Sequence, residues 1–368
     1  MSVSDAPHPF FNPVKPPLTQ EGFSRNEVRL ANRNPGTLLE TLRYDLTPQG
    51  LHYLLIHFDV PFVKSADDWT LSIGGLVERP IKLSMAQLRK FPERKMPVTM
   101  ECAGNGRADV APRYQSQPWY QEGVGTAEYT GTPLKAVLEE AGLKPDAVDV
   151  VFYGIDKGFG GGEEHFYGRS LPPAVALCDD LLLAWEMNGA PLLPQHGFPL
   201  RLVVPGWYGM TNVKWLDRIE VIDRPFDGHQ QVGTYVYRSS PEDAGTPVTT
   251  MRVKSLMVPP GIPDVYTRSR LVDAGPVELV GRAWAGEGIG IERVEVAVDG
   301  QWADATLDPA LGAYAWRGWR FDWAATPGEH ELMCRARDSN GNVQPLEVPF
   351  DMTGFGNNAA HRVQVTVR

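Results

Sequence analysis

The chain has 368 residues, with 37 glycines, 32 prolines, three cysteines and a formal charge of −10. That length suits two domains with real cores, and 42 % hydrophobic with 22 % charged residues describes a soluble globular protein. The acidic balance excludes nucleic acid as the main partner, and cysteines only at 102, 178 and 334 exclude a disulfide scaffold, a CxxC zinc site and a CxxCH haem attachment.

Residues 1–44 read as a Pro- and Asn-rich extended arm, with one short helix expected within the first 50 residues. Its start, MSVSDAPHPFFNPVKPP, has no basic segment leading into an apolar one, and so does not read as an export signal. No apolar run approaches the roughly 18 residues of a membrane helix. A cytoplasmic protein with no membrane partner is the expectation.

From Trp69 the elements become regular. Trp69, Leu71 and Ile73 alternate into a Gly-Gly turn, predicting a strand. Ser84 to Gln87 is a capping box ahead of a short helix that ends near Phe91. Val98, Met100 and Cys102 alternate in a strand that enters the turn Gly104-Asn105-Gly106. Thr132-Pro133 opens a helix and Gly142 closes it. Val148–Tyr153 is a buried-type strand, and Ser170 is expected to cap a helix near Pro172–Cys178. Leu181–Met187, Leu200–Val204 and Trp215–Ile222 complete an α+β region spanning 45–240.

The texture changes after the linker-like Ser239–Gly245. Val294, Val296 and Val298 share one face before the hairpin signal Asp299-Gly300; Leu332, Cys334 and Ala336 repeat the pattern, as do Val363, Val365 and Val367. Short strands with regular turns and no helical period predict an immunoglobulin-like β-sandwich over 246–368.

The chemistry points to Val98–Arg107. A thiol leaving a strand into a glycine turn, with an arginine five residues on, suits a reactive or metal-ligating position, because glycines admit close approach and a cation lowers a thiol pKa. A buried structural cysteine at a strand end is the other reading, and Cys178 and Cys334 are expected in cores. Lys157–Arg169, with five glycines around His165, reads either as a mobile rim over the site or as a plain surface loop.

Cys102-Ala-Gly-Asn-Gly-Arg107 is similar to the Cys-Ala-Gly-Asn-Arg-Arg signature of the sulfite oxidase family of molybdopterin enzymes. Met187–Gly206 with Val213-Lys214-Trp215-Leu216 resembles a second family segment. Leu46–Tyr53 with His57 and Pro61, then Gly75–Pro80, resembles the sulfane dehydrogenase branch. Trp284-Ala-Gly and Ile291–Val296 resemble the family's C-terminal dimerisation domain.

The resemblance implies a sulfite-oxidase-type molybdopterin-binding domain followed by an immunoglobulin-like dimerisation domain. It implies a molybdenum-molybdopterin cofactor with Cys102 as the single protein metal ligand. Carried over by position, the cofactor segments place Leu55, Ile56 and His57, then Asp156, His196, Arg201, Asn212, Val213 and Lys214 at the pterin. Thr211-Asn212 stands where relatives often have Arg-His, so one charged contact becomes neutral. At the substrate, Arg107 keeps one family arginine and Arg169 adds positive charge. Leu55 replaces the Arg of Arg-Asn-His, and Trp185 replaces the tyrosine expected in Leu-Ala-Tyr-Glu. An indole N–H cannot repeat a phenol's proton role. The implied activity is two-electron oxygen-atom transfer on a small-molecule substrate other than sulfite, in a homodimer served by a separate electron-transfer partner. A reductase of an S-oxide, N-oxide or nitrate-like substrate, and a non-catalytic protein retaining the fold, are the alternatives.

Overall fold

The structure, a computed structural model, describes residues 22–368. Residues 1–21, nearly half of the expected arm, lie outside the described residues. The short helix is α1 (Arg25–Arg33), opened by a capping box in which the Ser24 hydroxyl and Glu27 carboxylate each accept the other's backbone N–H. Glu27 also pairs with Arg113 at 2.6 Å, so that arginine staples the arm. The backbone then runs beside the cofactor region, with Thr37 N–H on Glu122 O and Thr47 N–H on Thr126 O.

Two sheets build the first region. Strand β1 (Thr70–Gly75) pairs antiparallel with β2 (Ile81–Ser84), and the predicted capping box at Ser84 starts α2 (Met85–Leu88). Strand β3 (Arg94–Glu101) pairs with β4 (Val124–Pro133), a ten-residue strand that the sequence reading passed over. Helix α3 (Leu134–Ala141) follows, burying Leu134, Val137, Leu138 and Ala141 at helical spacing and ending at Gly142.

Strands β5 (Asp149–Gly160) and β6 (Glu163–Leu171) form a long hairpin. The Gly-rich stretch is therefore paired sheet, not loop. Its glycines answer packing: a Cβ on Gly158 would meet the Phe58 ring at 2.3 Å, and Gly161 and Gly162 turn the hairpin with positive φ. Ser170 is a strand residue bonded to Asp149, not a cap; α4 (Pro173–Ala176) starts from Pro172 instead. Cys178 is exposed, contrary to its expected core position, because that helix ends before it.

Strands β7 (Leu182–Met187), β8 (Ala190–Pro191), β9 (Arg201–Val203) and β10 (Leu216–Ile222) complete the region. The sheet orders are β2-β1-β10-β5-β6 and β3-β4-β7-β8, with β9 also on β7.

The second region is a β-sandwich, as the period-two pattern predicts. A four-stranded sheet built on Gly275–Trp284 and Arg317–Ala325 faces a six-stranded sheet built on Ile291–Val298, Gly328–Asp338 and His361–Val367. Val294, Val296, Leu332, Cys334, Val363 and Val365 meet Trp319 and Trp323 in its core. Asp299 and Gly300 both have positive φ, as a tight hairpin turn with right-handed strand twist requires. Among the described residues, no helix is long and apolar enough to cross a membrane.

Candidate active site

The Cys102 turn is shaped by its glycines. Cys102 follows the last residue of β3, and its N–H donates to Gly123 O at 2.8 Å. The Arg107 guanidinium folds back over Gly104, where an added Cβ would lie 2.6 Å from it. Gly106 has φ +88° and lies against Asn357. Any side chain at either position would force the turn apart.

Cys102 lines a cavity with about 640 Å³ of non-atom space, including its open mouth. Leu55, His57, Asp156, His196, Arg201, Asn212 and Lys214, seven of the proposed cofactor residues, line the same cavity. They come from loops and strands up to 159 residues apart: the Lys214 ammonium donates to Leu55 O at 2.9 Å and Gln195 O at 3.0 Å.

Ile56 and Val213 do not face the cavity. Both are buried in the hydrophobic core, since alternation along an extended chain turns neighbours of His57 and Lys214 the other way.

The substrate-side residues are placed differently from expectation. Trp185 is buried in the core beside Leu183, with the Arg89 guanidinium over its ring at 5.7 Å, and does not line the cavity. Arg107 is buried and spends its donors on Thr353 O at 2.8 Å and Gln117 O at 3.2 Å. Arg169 lies behind the wall, donating to Gln230 O under the Tyr235 ring.

Tyr53, Tyr167 and Tyr235 line the cavity, and the last of these was not singled out in the sequence. Tyr235 follows a single π-helical turn, His229–Thr234, and shares a 2.6 Å hydrogen bond with His57 Nε2. Tyr167 stacks on the other side of His57, with ring centroids 4.6 Å apart. A π turn has no periodic signature, so only the Lys157–Arg169 segment, which contains Tyr167, hinted at this wall. Met100, Met210 and Leu54 supply apolar lining.

The electrostatics describe an unmet demand. Among the described residues, Asp156 Oδ1, Arg201 Nε and His52 Nε2 are buried on cavity-lining residues without a hydrogen-bond partner. Neither Arg201 nor Lys214 makes an ion pair among the described residues, and burial, then Arg201, pulls the Lys214 ammonium down to about 7. Burial pushes Asp156 up to about 6. Buried unpaired groups are costly, so such a set points to a ligand that is anionic at one end and rich in donors and acceptors. Burial also raises the Cys102 thiol, opposed by Arg107 and by the Trp119 indole. A soft metal binding there displaces the proton.

Burial lowers His52 to about 4 and His57 to about 3, and pushes His196 down as well. The unfolded chain protonates these imidazoles near their ordinary value, whereas the folded protein does not. Stability of the metal-free protein should therefore rise with pH from about 4 to 6.5. Asp156, holding its proton up to about 6, works against this over much the same window, as do Asp109, Glu122 and Asp217, which burial also raises, while the buried His361, lowered to about 4, and His229 add to the rise. Urea midpoints at several pH values in that interval check it; a flat profile would overturn the neutral-imidazole assignment.

Comparison with known proteins gives the family and the fold. Residues 57–230 match the family described as "Oxidoreductase molybdopterin binding domain", and residues 246–368 match "Mo-co oxidoreductase dimerisation domain". The chain is 34 % identical over 371 residues to the mitochondrial sulfite oxidase of Mus musculus, covering 95 % of this chain and 67 % of that protein. It is 31 % identical over 380 residues to nitrate reductase [NADH] 2 of Phaseolus vulgaris, covering 92 % of this chain but only 42 % of that one. The solved structure of the sulfane dehydrogenase SoxCD from Paracoccus pantotrophus superposes with a TM-score of 0.78 at 29 % identity, covering 90 % of this chain and 86 % of that chain.

Proposed function

The chain belongs to the sulfite oxidase family of molybdopterin-dependent oxidoreductases, and on that premise we propose that it performs two-electron oxygen-atom transfer, beside Cys102, on a small substrate other than sulfite. The family's cofactor is the molybdenum-pterin group, and the residues present fit it. A soft sulfur donor stands in the cavity wall, flanked by Arg201 and Lys214, which among the described residues make no ion pair within 4 Å, and by Asp156, whose Oδ1 has no hydrogen-bond partner among them. Cys102 would hold the metal. Arg201, Lys214, His196, Asp156, Asn212 and His57 would hold the pterin and its phosphate.

When bound, that group supplies the oxygen-atom exchange and the two-electron change. The chain's own residues orient the substrate and exclude water. The hydrogen-bonded Tyr235 and His57 pair can hold or pass a proton at the Tyr235 oxygen, with the imidazole neutral at physiological pH.

The case against sulfite rests on one observation. Leu55 lines the cavity where family members place an arginine, while neither Arg107 nor Arg169 lines it. The loss of a phenol at position 185 no longer adds to it, because Tyr235 presents one. Leu55→Arg should raise kcat/KM for sulfite about tenfold or more, the worth of one charge-assisted hydrogen bond to an oxyanion. A variant fully loaded with molybdenum yet inert toward sulfite would defeat the missing-clamp explanation.

Similarity to the plant nitrate reductases supports a second reading, the reductive direction on the same cavity. Testing candidate donors and acceptors for reducing or reoxidising the holoprotein, followed spectroscopically, separates the two directions. We further propose a homodimer through residues 246–368 and a separate electron carrier, both testable by light scattering and by reconstitution with small redox proteins.

A further inference from the structure

We infer that Glu101, held by Lys254 of the β-sandwich, is a positioning residue that fixes the Cys102 turn and balances the charge beside the metal. This rests on the assignment of Cys102 as metal ligand.

Successive residues of an extended chain face opposite ways, so Cys102 turns to the cavity while Glu101 turns to the sandwich. Glu101 is 2 % exposed and both of its oxygens are engaged. Oε1 accepts from Lys254 Nζ at 3.1 Å and Asn105 Nδ2 at 3.0 Å, and Oε2 accepts from Trp284 Nε1 at 3.0 Å. Lys254 is 1 % exposed and also donates to Asn357 O at 2.9 Å.

The same turn takes three further bonds from the sandwich, all at 2.8 Å. Gly356 N–H donates to Ala103 O, Asn357 Nδ2 donates to Gly106 O, and Arg107 Nε donates to Thr353 O. The region matched as a dimerisation domain thus supplies most of the outer support of the metal-ligand turn.

Stability alone is a poor reason to bury this pair. Desolvating two charges costs several kcal/mol each, and apolar replacements are often as stable. Its position gives a better reason. A buried carboxylate one residue from an anionic thiolate acts strongly in a dry interior, and Lys254 cancels it. Removing either partner leaves a net charge of opposite sign near the metal.

The test is a redox titration of the holoenzyme, following the molybdenum signal, on Lys254→Met, Glu101→Gln, the double variant and Trp284→Phe. Lys254→Met leaves a negative charge, which favours the oxidised metal; the oxidised-to-reduced ratio at fixed potential should rise about tenfold or more. Glu101→Gln leaves a positive charge and should move the ratio the other way. The double variant should return to within about threefold of wild type. Trp284→Phe keeps an aromatic ring at a smaller volume, removes one donor to Glu101, and should give a smaller shift in the direction of Lys254→Met. If the buried-charge variants fail to fold, Trp284→Phe carries the test alone.

Shifts of the same sign in both single variants, or lost molybdenum with an unmoved potential in the remainder, would mean a merely structural brace and overturn the inference. Wild-type protein that carries no molybdenum would sink the cofactor assignment itself. A loaded wild type whose variants all keep its potential sinks this inference alone.

Discussion

Cys102→Ser is expected to reduce turnover by about 10³-fold or more, at least the cost of deleting one essential electrostatic contact at a reacting centre, while leaving the protein folded. The exchange is nearly isosteric at a site 5 % exposed, and the backbone bonds of Cys102 to Gly123 and Asn105 do not involve the side chain. A serine hydroxyl stays protonated near neutral pH, so it cannot act as the anionic soft donor that a thiolate is.

The other cysteines supply the contrast. Cys334 is fully buried in the sandwich core, its thiol pushed up to about 12 by desolvation, so Cys334→Ser should cost roughly 1–3 kcal/mol of stability and no turnover. Cys178 is exposed, and Cys178→Ser should change neither. Turnover, thermal unfolding and molybdenum per chain, measured on all three, check the set; unchanged activity in Cys102→Ser would refute the ligand assignment.

The second large effect belongs to Lys214. Lys214→Met keeps the length of the side chain and removes its charge, and should lower cofactor retention about tenfold or more. The ammonium bridges Leu55 O and Gln195 O and makes no ion pair within 4 Å among the described residues, although Asp156 on the same cavity favours its charged form. Its pKa, lowered to about 7 by burial and then by Arg201, gives the effect a pH sign. Above that value the metal-free cavity loses the cation, so wild-type affinity for the cofactor should weaken as pH rises through about 7. The methionine variant should lose the part of this dependence that Lys214 supplies, keeping only that of Asp156 and of the Cys102 proton. Molybdenum and pterin per chain after dialysis at pH 6 and pH 8 measure both statements, and full loading of Lys214→Met at either pH would remove Lys214 from the cofactor site.

Much of this site was legible in the sequence because its information is local. A strand entering Gly104-Asn105-Gly106 identifies the Cys102 turn, since only glycine admits the Arg107 guanidinium and the positive φ found there. The sandwich strands announce themselves by alternation that matches their burial. The hairpin of β5 and β6 was hidden, because glycines that make room for Phe58 and His229 look the same in sequence as glycines that make a loop. Trp185 was assigned to the cavity from the residues around it, but strand alternation sends it with Leu183 into the core. Tyr235 carried no pattern, because an isolated π turn delivers it.

The sequence by itself determined the division into an α+β region and a sandwich, the glycine turn that carries Cys102 and most of the polar groups that line the cavity beside it. These depend on short-range periodicity and on backbone conformations that particular residues demand. Only the tertiary structure decided which cations remain available to a ligand. Arg107 is turned out of the cavity lining onto a carbonyl 246 residues away, while Arg201 and Lys214 line the cavity, each also donating to two backbone carbonyls. It also decided that Lys254 reaches Glu101 across the domain boundary. Competition among distant hydrogen-bond partners for one buried side chain is settled by packing, and no local pattern encodes its outcome.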